Sequence, residues 1–106
     1  MLNKYLAFPL AFCALVSSAL AANHVVEQKG KAFSVKSLNV KVGDSVEFVN
    51  ADPFNHNVFS LSDIKTFDLG SYPQGQSKKV VFDKAGQAEV ECAIHPDMIL
   101  KVEVSE

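Results

Sequence analysis

The sequence contains no arginine and no tryptophan, and it has very little cysteine or methionine. Among its 106 residues, two are cysteines, two are methionines and all ten basic residues are lysines. Twelve aspartates and glutamates outnumber the lysines, so the formal net charge is −2. Because the chain has no basic patch, it is a poor candidate for binding nucleic acid or an anionic membrane surface.

The chain also lacks an apolar run long enough to cross a membrane. The longest run, residues 6–16, is shorter than the about 20 residues of a spanning helix and is interrupted by Pro9. A lysine precedes this run, and small residues follow it, which is typical of a cleaved secretory signal. We therefore predict a signal peptide over residues 1–21 and one mature domain over residues 22–106. Export to the periplasm follows, with no membrane attachment after cleavage.

Cleavage leaves the mature domain with a single thiol. Cys13 lies in the leader, so Cys92 cannot form an internal disulfide. A lone thiol in an oxidising compartment is a liability unless it is buried, paired between chains or bound to a metal. Met98 is the only methionine left after Met1 is removed, and His95 lies between it and Cys92. A domain of 85 residues is small, so a bound metal could add useful stability.

No segment has helical periodicity of useful length, apart from a possible single turn over residues 62–66. Residues 24–31 form a polar lead-in, and short apolar segments separated by turns follow. In the segments 88–92 and 98–104, apolar and charged residues alternate, which places Cys92 and Met98 on core-facing rows. Seven or eight short strands in a chain of this length predict an all-β, antiparallel β-sandwich.

The sequence CAIHPDM contains three potential metal donors, Cys92, His95 and Met98. Thiolate and imidazole ligands suit copper and zinc, and a weak axial thioether indicates copper. A trigonal site of this kind needs a second histidine. His56 lies in a rigid turn before a strand and is the better candidate, because His24 is close to the N-terminus and is expected to be mobile.

The order of these residues resembles that of the cupredoxins, the type 1 blue copper proteins. The CxxHPxM loop and the stretch FDLGSYPQGQSKKVVFDKAGQAEVECAIHPDM are similar to plastocyanin- and amicyanin-like members, including a plastocyanin-like group associated with methylamine utilisation. The resemblance covers about residues 32–104. It implies a Greek-key β-sandwich of seven to eight strands with one type 1 copper ion. His56, Cys92 and His95 would be equatorial ligands and Met98 the axial ligand.

The resemblance also implies residues that tune the site from outside it. Asn57 matches a family residue that fixes the ligand loop near the thiolate. Ala93 stands where cupredoxins often have serine or threonine, and Ile94 stands where amicyanin-like loops have proline. We therefore hypothesise that the Ile94 N–H donates to the Cys92 sulfur and raises the reduction potential. Pro96 stiffens the loop by fixing its own φ and restricting the preceding residue.

One feature lies outside the family pattern. If cleavage follows Ala22, the mature chain begins at Asn23 and no metal site is expected at the N-terminus. If it precedes Ala22, then Ala22, Asn23 and His24 could supply a square-planar nitrogen set for Cu(II), although an accidental histidine remains the simpler interpretation. The charges of Asp52 and Asp97 are interpreted as ordinary solvated charges.

These observations predict a periplasmic electron carrier rather than an enzyme. Single electrons would pass to a transient redox protein, such as a cytochrome c or a periplasmic dehydrogenase, through an apolar patch around His95. The patch would consist of Pro53, Phe54, Ile94 and Pro96, and the protein is expected to be a monomer. Storage or delivery of copper is the alternative function, and a structural zinc site is a third interpretation.

Overall fold

A computed structural model of the protein describes residues 20–106, which form eight strands and no helix. The strands are β1 (Asn23–Gln28), β2 (Ser37–Lys41), β3 (Ser45–Asn50), β4 (His56–Ser62), β5 (Lys65–Tyr72), β6 (Ser77–Val81), β7 (Gly86–Cys92) and β8 (His95–Ser105). No helix that could span a membrane occurs among the described residues. The predicted signal peptide falls almost wholly outside them and stays a prediction.

The strands form two sheets, with the order β1-β3-β6 in one and β2-β8-β7-β4-β5 in the other. The predicted all-β sandwich is thereby confirmed. Each sheet is mixed rather than purely antiparallel, because β1 runs parallel to β3 and β2 runs parallel to β8. The chain crosses from β1 to β2 in the opposite sheet and then returns to β3. This crossing supplies the long connection that two parallel neighbours require.

β1 occupies the segment that was expected to be a polar lead-in, so that expectation is wrong. It pairs with β3 over six residues, from Asn23 opposite Ser45 to Gln28 opposite Asn50. Of its side chains, Val26 and Gln28 are buried, so the apolar alternation that would have revealed the strand is nearly absent. The helical turn expected over residues 62–66 is instead a tight two-residue connection between β4 and β5.

The core lies between the two sheets and is built from one face of each strand. Its fully buried members include Val46, Phe48, Val58, Phe82, Val90, Leu100 and Val102. Burying such a side chain contributes roughly 1.5–3 kcal/mol. Cys92 and Met98 are 2% and 1% exposed. Both therefore lie on the core-facing rows that the alternating pattern predicted.

A buried hydroxyl joins the two sheets close to the start of β4. Tyr72 in β5 lies opposite His56 in the strand register, and its hydroxyl is 3.0 Å from the carbonyl oxygen of Phe48 in the other sheet. The hydroxyl is also 2.9 Å from the side-chain amide of Gln28 in β1. The Phe48 carbonyl oxygen and Gln28 Oε1 are both acceptors, so they share the single hydrogen that the hydroxyl donates. Burial raises the pKa of Tyr72, so the group stays neutral.

Candidate metal centre

Three donor atoms meet at one end of the five-stranded sheet. His56 begins β4, Cys92 ends β7 and His95 begins β8, and these three strands are adjacent. The Cys92 Sγ atom is 3.7 Å from His56 Nδ1 and 3.7 Å from His95 Nδ1. All three atoms lie within 4.8 Å of one another. A tight turn over residues 93–94 places Cys92 opposite His95, so the hairpin itself brings two of the donors together.

The spacing of these atoms fits a single bound metal ion. Metal–sulfur and metal–nitrogen bonds are about 2.3 and 2.05 Å long in protein sites. Two such ligands separated by an angle of about 120° lie about 3.8 Å apart, close to both sulfur–nitrogen distances seen here. One thiolate and two imidazoles form the soft trigonal set that type 1 copper uses. Cys92 and His56 are buried and His95 is half-buried, so solvent has little access to the cluster.

Met98 follows three residues after His95 in β8, and its side chain is almost completely buried. Methionine in a sandwich core is often simple filling, because the flexible thioether adapts to irregular space. Here the same strand begins with a donor of the cluster, and Met98 is the only thioether among the described residues. A soft, weak donor at this point is consistent with copper and gives zinc no advantage.

Asp52 is not the solvated charge that the sequence suggested, and that interpretation is wrong. Its side chain is buried, and its Oδ2 atom lies 2.6 Å from His56 Nε2. A carboxylate can only accept, so Nε2 must carry the imidazole proton. The other ring nitrogen, Nδ1, is then bare and faces the Cys92 sulfur, as a metal-binding imidazole must. Asp52 therefore selects the tautomer of His56 that can bind a metal.

The loop between β1 and β2 holds the Asp52 carboxylate. The backbone N–H of Gly30 donates to Oδ1 at 2.6 Å, and that of Lys31 donates to Oδ2 at 3.1 Å. Both residues have positive φ, 67° and 58°, and successive amides in such a turn converge on an anion. Burial alone raises the pKa of Asp52, but the hydrogen bonds from His56 and the two amides outweigh it and lower the pKa overall.

The turn before β4 is fixed by a second buried polar side chain, Asn50. Its amide group donates to the carbonyl oxygens of Phe54 and Tyr72 at 2.8 and 2.9 Å. Its Oδ1 atom accepts the backbone N–H of Asp52 at 2.8 Å. These bonds hold Asp52 and His56 in one rigid turn, which agrees with the rigidity expected for the segment that positions His56.

The Cys92 sulfur accepts a backbone hydrogen bond from Asn57, with an N–S distance of 3.5 Å. This places Asn57 beside the sulfur, where the resemblance expected it. Among the described residues no hydrogen bond from Ile94 to the sulfur is present, and the Ile94 side chain is 57% exposed. The role of Ile94 as a donor, and that of Pro96 in stiffening the loop, therefore stay predictions.

The Ile94 hypothesis predicts that Ile94→Pro lowers the reduction potential, because proline has no N–H to draw electron density from the thiolate. Voltammetry of the two copper-loaded proteins measures the shift. An unchanged potential would assign the tuning of the sulfur to the Asn57 amide instead.

Aromatic and apolar side chains close the outer edge of the cluster. The Phe54 ring lies 5.3 Å from the His56 ring and 5.5 Å from the His95 ring, measured between centroids. Phe54, Ile94 and Pro96 are exposed next to the half-buried His95, and Pro53, which precedes Phe54 in the chain, is also exposed. We call these four residues the His95 patch. An open depression beside it, of about 180 Å³, adds Lys31 and Asp97 at its rim.

The structure does not bring the N-terminal residues into a metal-binding arrangement. The Ala22 backbone nitrogen is 2.8 Å from Asp44 Oδ1, and His24 Nε2 is 2.9 Å from Asp44 Oδ2. His24 lies within β1, so the expectation that it is mobile is wrong. A square-planar Cu(II) complex of Ala22, Asn23 and His24 would require release of both contacts, and it stays a prediction.

A helix-free sandwich that holds a Cys–His–His cluster and a buried methionine at one end defines the cupredoxin class. The chain belongs to the plastocyanin/azurin family of copper-binding proteins, whose sequence profile matches residues 20–105. The cofactor is therefore copper, and the donor set matches a single type 1 site. Type 1 copper proteins of this fold carry single electrons, as the sequence predicted.

Comparison with known proteins agrees with this assignment. The chain is 31% identical to the methylamine utilization protein MauL of Methylorubrum extorquens, over 99% of this chain and 91% of that protein. A Cu(I) structure of an amicyanin variant is 26% identical, with a TM-score of 0.72 over 87% of this chain and 89% of its own. A copper-containing nitrite reductase of Thermus scotoductus is 27% identical with a TM-score of 0.73, but this chain covers only 24% of it.

Proposed function

We propose that one type 1 copper ion is held by His56, Cys92 and His95 in the equatorial plane, with Met98 as the axial ligand. The observation that carries this assignment is the pair of 3.7 Å distances from the Cys92 sulfur to two imidazole nitrogens. When bound, the copper supplies a one-electron couple between Cu(I) and Cu(II). The residues of the chain supply the fixed surroundings in which that couple operates.

Fast electron transfer requires that the ligands move little between the two oxidation states. His56 is held by Asp52, which is itself held by the amides of the β1–β2 loop. Cys92 and His95 are held by the β7–β8 hairpin, and Met98 is packed in the core. Because the Asp52 contact, the β7–β8 hairpin and the core packing together fix all four donors, the cluster has little freedom to rearrange.

The exposed edge of His95 is the proposed exit for the electron. His95 is the only one of the three clustered donors that is not fully buried, and the His95 patch surrounds it. A small apolar patch suits a transient partner, which must dissociate after each electron. A cytochrome c or a periplasmic dehydrogenase is the proposed kind of partner, and the predicted signal peptide over residues 1–21 supports a periplasmic location.

The proposed role is that of a carrier and not of an enzyme. The likeness to the nitrite reductase does not carry that enzyme's activity to this chain, because the match covers about a quarter of the reductase. The family and the fuller-length relative support electron transfer instead.

The test is the visible spectrum of the exported protein during titration with Cu(II), after removal of bound metal. The proposal expects an intense thiolate-to-copper band at one equivalent, which ascorbate bleaches and reoxidation restores. A colourless protein, or one with only a faint amide-type band, would contradict it. A protein that shows the band but passes copper to an apo-partner without redox turnover would favour copper delivery.

Electron self-exchange tests the His95 patch, since two copies must meet through the same surface. Replacing Ile94 with glutamate is expected to leave the visible band unchanged and to slow self-exchange by about tenfold or more, because like charges then face each other across the contact. The rate is measured by NMR line broadening in mixtures of the oxidised and reduced protein.

Leu61→Glu is the matched control for this experiment. Leu61 is 74% exposed and lies near the end of β4 that is remote from His56. The substitution makes the same apolar-to-acidic change away from the patch, so the self-exchange rate should stay close to that of the unmodified protein. Equal slowing by both variants would show that net charge, and not the patch, controls the encounter.

A further inference from the structure

A buried carboxylate lies at the end of the sandwich opposite the metal cluster. Asp44 is 5% exposed and lies in the turn between β2 and β3. It accepts three hydrogen bonds, from the backbone nitrogens of Ala22 and Lys41 and from His24 Nε2, at 2.8, 2.9 and 2.9 Å. These bonds, led by that from Ala22, lower the pKa of Asp44 to about 2. The group is therefore ionised at every physiological pH.

Among the described residues, which begin at Leu20, Ala22 is the first that hydrogen-bonds to the sandwich, and it directly follows the predicted cleavage position. Ala22 is fixed on both sides, because its carbonyl oxygen also accepts the backbone N–H of Ser45 at 2.9 Å. The residue two positions earlier, Leu20, is 92% exposed. The backbone contacts of Ala22 thus begin directly after the end of the predicted leader at residue 21.

We propose that Asp44 is the binding site for the α-amino group that cleavage after residue 21 creates on Ala22. In the uncleaved chain the Ala22 nitrogen is a neutral amide with one N–H. Hydrolysis of the peptide bond turns it into an ammonium group with a full positive charge, at the position already 2.8 Å from Asp44 Oδ1. The precursor amide already donates to an ionised carboxylate, and cleavage adds the Coulomb attraction between the full charges of the ammonium group and Asp44. The cleaved N-terminus is therefore bound more tightly than the same residue in the precursor.

The surroundings leave room for an ammonium group. An open depression of about 570 Å³ adjoins Ala22, and its lining includes the leader residues Leu20 and Ala21 as well as Asp44. Cleavage removes those two residues and opens the space to water, which can accept the remaining N–H bonds. The other charged or titratable groups near the amine are Lys41 and Glu106, which line the depression, and His24, which shares the Asp44 carboxylate.

The same contact limits the N-terminal copper site. A Cu(II) complex of Ala22, Asn23 and His24 uses the α-amino nitrogen and the His24 ring, and Asp44 holds both of these groups. Cu(II) must therefore compete with Asp44, so binding there is expected to be weaker than in a flexible peptide of the same sequence.

The proposal is tested by the pKa of the α-amino group in the exported, copper-loaded protein, whose intact mass should show that it begins at Ala22. NMR titration of the Ala22 resonances is expected to give a value above the usual range of about 7.7–8.0. His24→Gln is used as the background, so that only the amine titrates beside Asp44. A value in the usual range, or a protein that begins at another residue, would overturn the proposal.

Two matched variants separate a specific contact from a general effect of negative charge. Asp44→Asn should return the amine to its usual pKa, whereas Glu106→Gln removes a carboxylate from the same depression and should leave the raised value in place. Equal effects of the two variants would overturn the assignment to Asp44. If one glycine is inserted before Ala22, the Ala22 nitrogen stays an amide that donates to Asp44, and the charged amine moves to the glycine. That amine should have its usual pKa.

Stability gives an independent readout. A group whose pKa is raised by folding stabilises the protein below its unfolded pKa, and this contribution disappears as the pH rises through the folded pKa. The urea midpoint of the chain beginning at Ala22 should therefore exceed that of the glycine-extended chain at pH 7 and converge with it at pH 10. In the Asp44→Asn background the two chains should have equal midpoints throughout. A constant difference across this pH range would contradict the proposal.

Discussion

Replacing Cys92 with serine is expected to abolish the intense visible absorption of the copper-loaded protein. That absorption arises from charge transfer between a thiolate and copper, and a serine hydroxyl keeps its proton at neutral pH and cannot replace the sulfur. The Cys92 sulfur lies 3.7 Å from the Nδ1 atom of each histidine, so its loss removes the donor that is close to both imidazoles. The visible spectrum and a copper titration measure the change.

Met98→Leu is the comparison for this variant, because it changes a buried side chain while keeping its volume. Such a substitution costs less than about 1.5 kcal/mol of stability. The thiolate and imidazoles remain, so the intense band should persist. The reduction potential should rise, because removal of a weak donor disfavours Cu(II). If the serine variant kept the intense band, Cys92 could not be the thiolate ligand.

Replacing Asp52 with asparagine is expected to lower copper affinity by about 10- to 100-fold and to raise the reduction potential. Loss of a partner that orients a metal-binding histidine typically costs that much affinity. Asparagine keeps the shape of Asp52 but removes the negative charge 2.6 Å from His56 Nε2. This charge stabilises Cu(II) more than Cu(I), so its removal favours the reduced state. Competition with a copper chelator gives the affinity, and voltammetry gives the potential.

Asp97→Asn is the matched control, since Asp97 is exposed and lies beside the same cluster. It removes the same charge but makes no hydrogen bond to a donor histidine, so the affinity should stay unchanged and the potential should shift less. Equal changes in both variants would show that Asp52 acts through charge alone. Without metal, Asp52→Asn should also lower the free energy of unfolding by about 1–3 kcal/mol relative to the metal-free unmodified protein, because the buried donors around residue 52 lose a strong acceptor.

The strands that hold the metal donors were predictable because their pattern is regular. In β7 and β8 every second side chain is buried over most of the length, so apolar and charged residues alternate and the positions of Cys92 and Met98 follow directly. The second histidine was also identifiable, because His56 is preceded by a turn-forming segment and followed by apolar residues. Identification of copper depended on combining these donors with the family resemblance.

The features that the sequence did not reveal depend on contacts between segments that are distant along the chain. β1 has Gln28 at one of its two buried positions, so its strand character depends on pairing with β3 rather than on its own pattern. Asp52 lies within a turn signal, and nothing local shows that the β1–β2 loop covers it. The available signal was its spacing, four residues before a candidate metal-binding histidine, which suggests a carboxylate partner for that ring. The two parallel strand pairs likewise follow from how the chain crosses between sheets.

The longest strand, β8, carries the chain from the copper end to the opposite end of the molecule. Its eleven residues extend about 35 Å, from His95 to the Ser105 carbonyl that accepts the backbone N–H of Val42. Leu20 and Glu106 line the same depression at that far end. A tether or a second domain joined after Glu106 would therefore leave the face around His95 unobstructed. A sandwich of this kind can be held by one end and still meet its partners with the other.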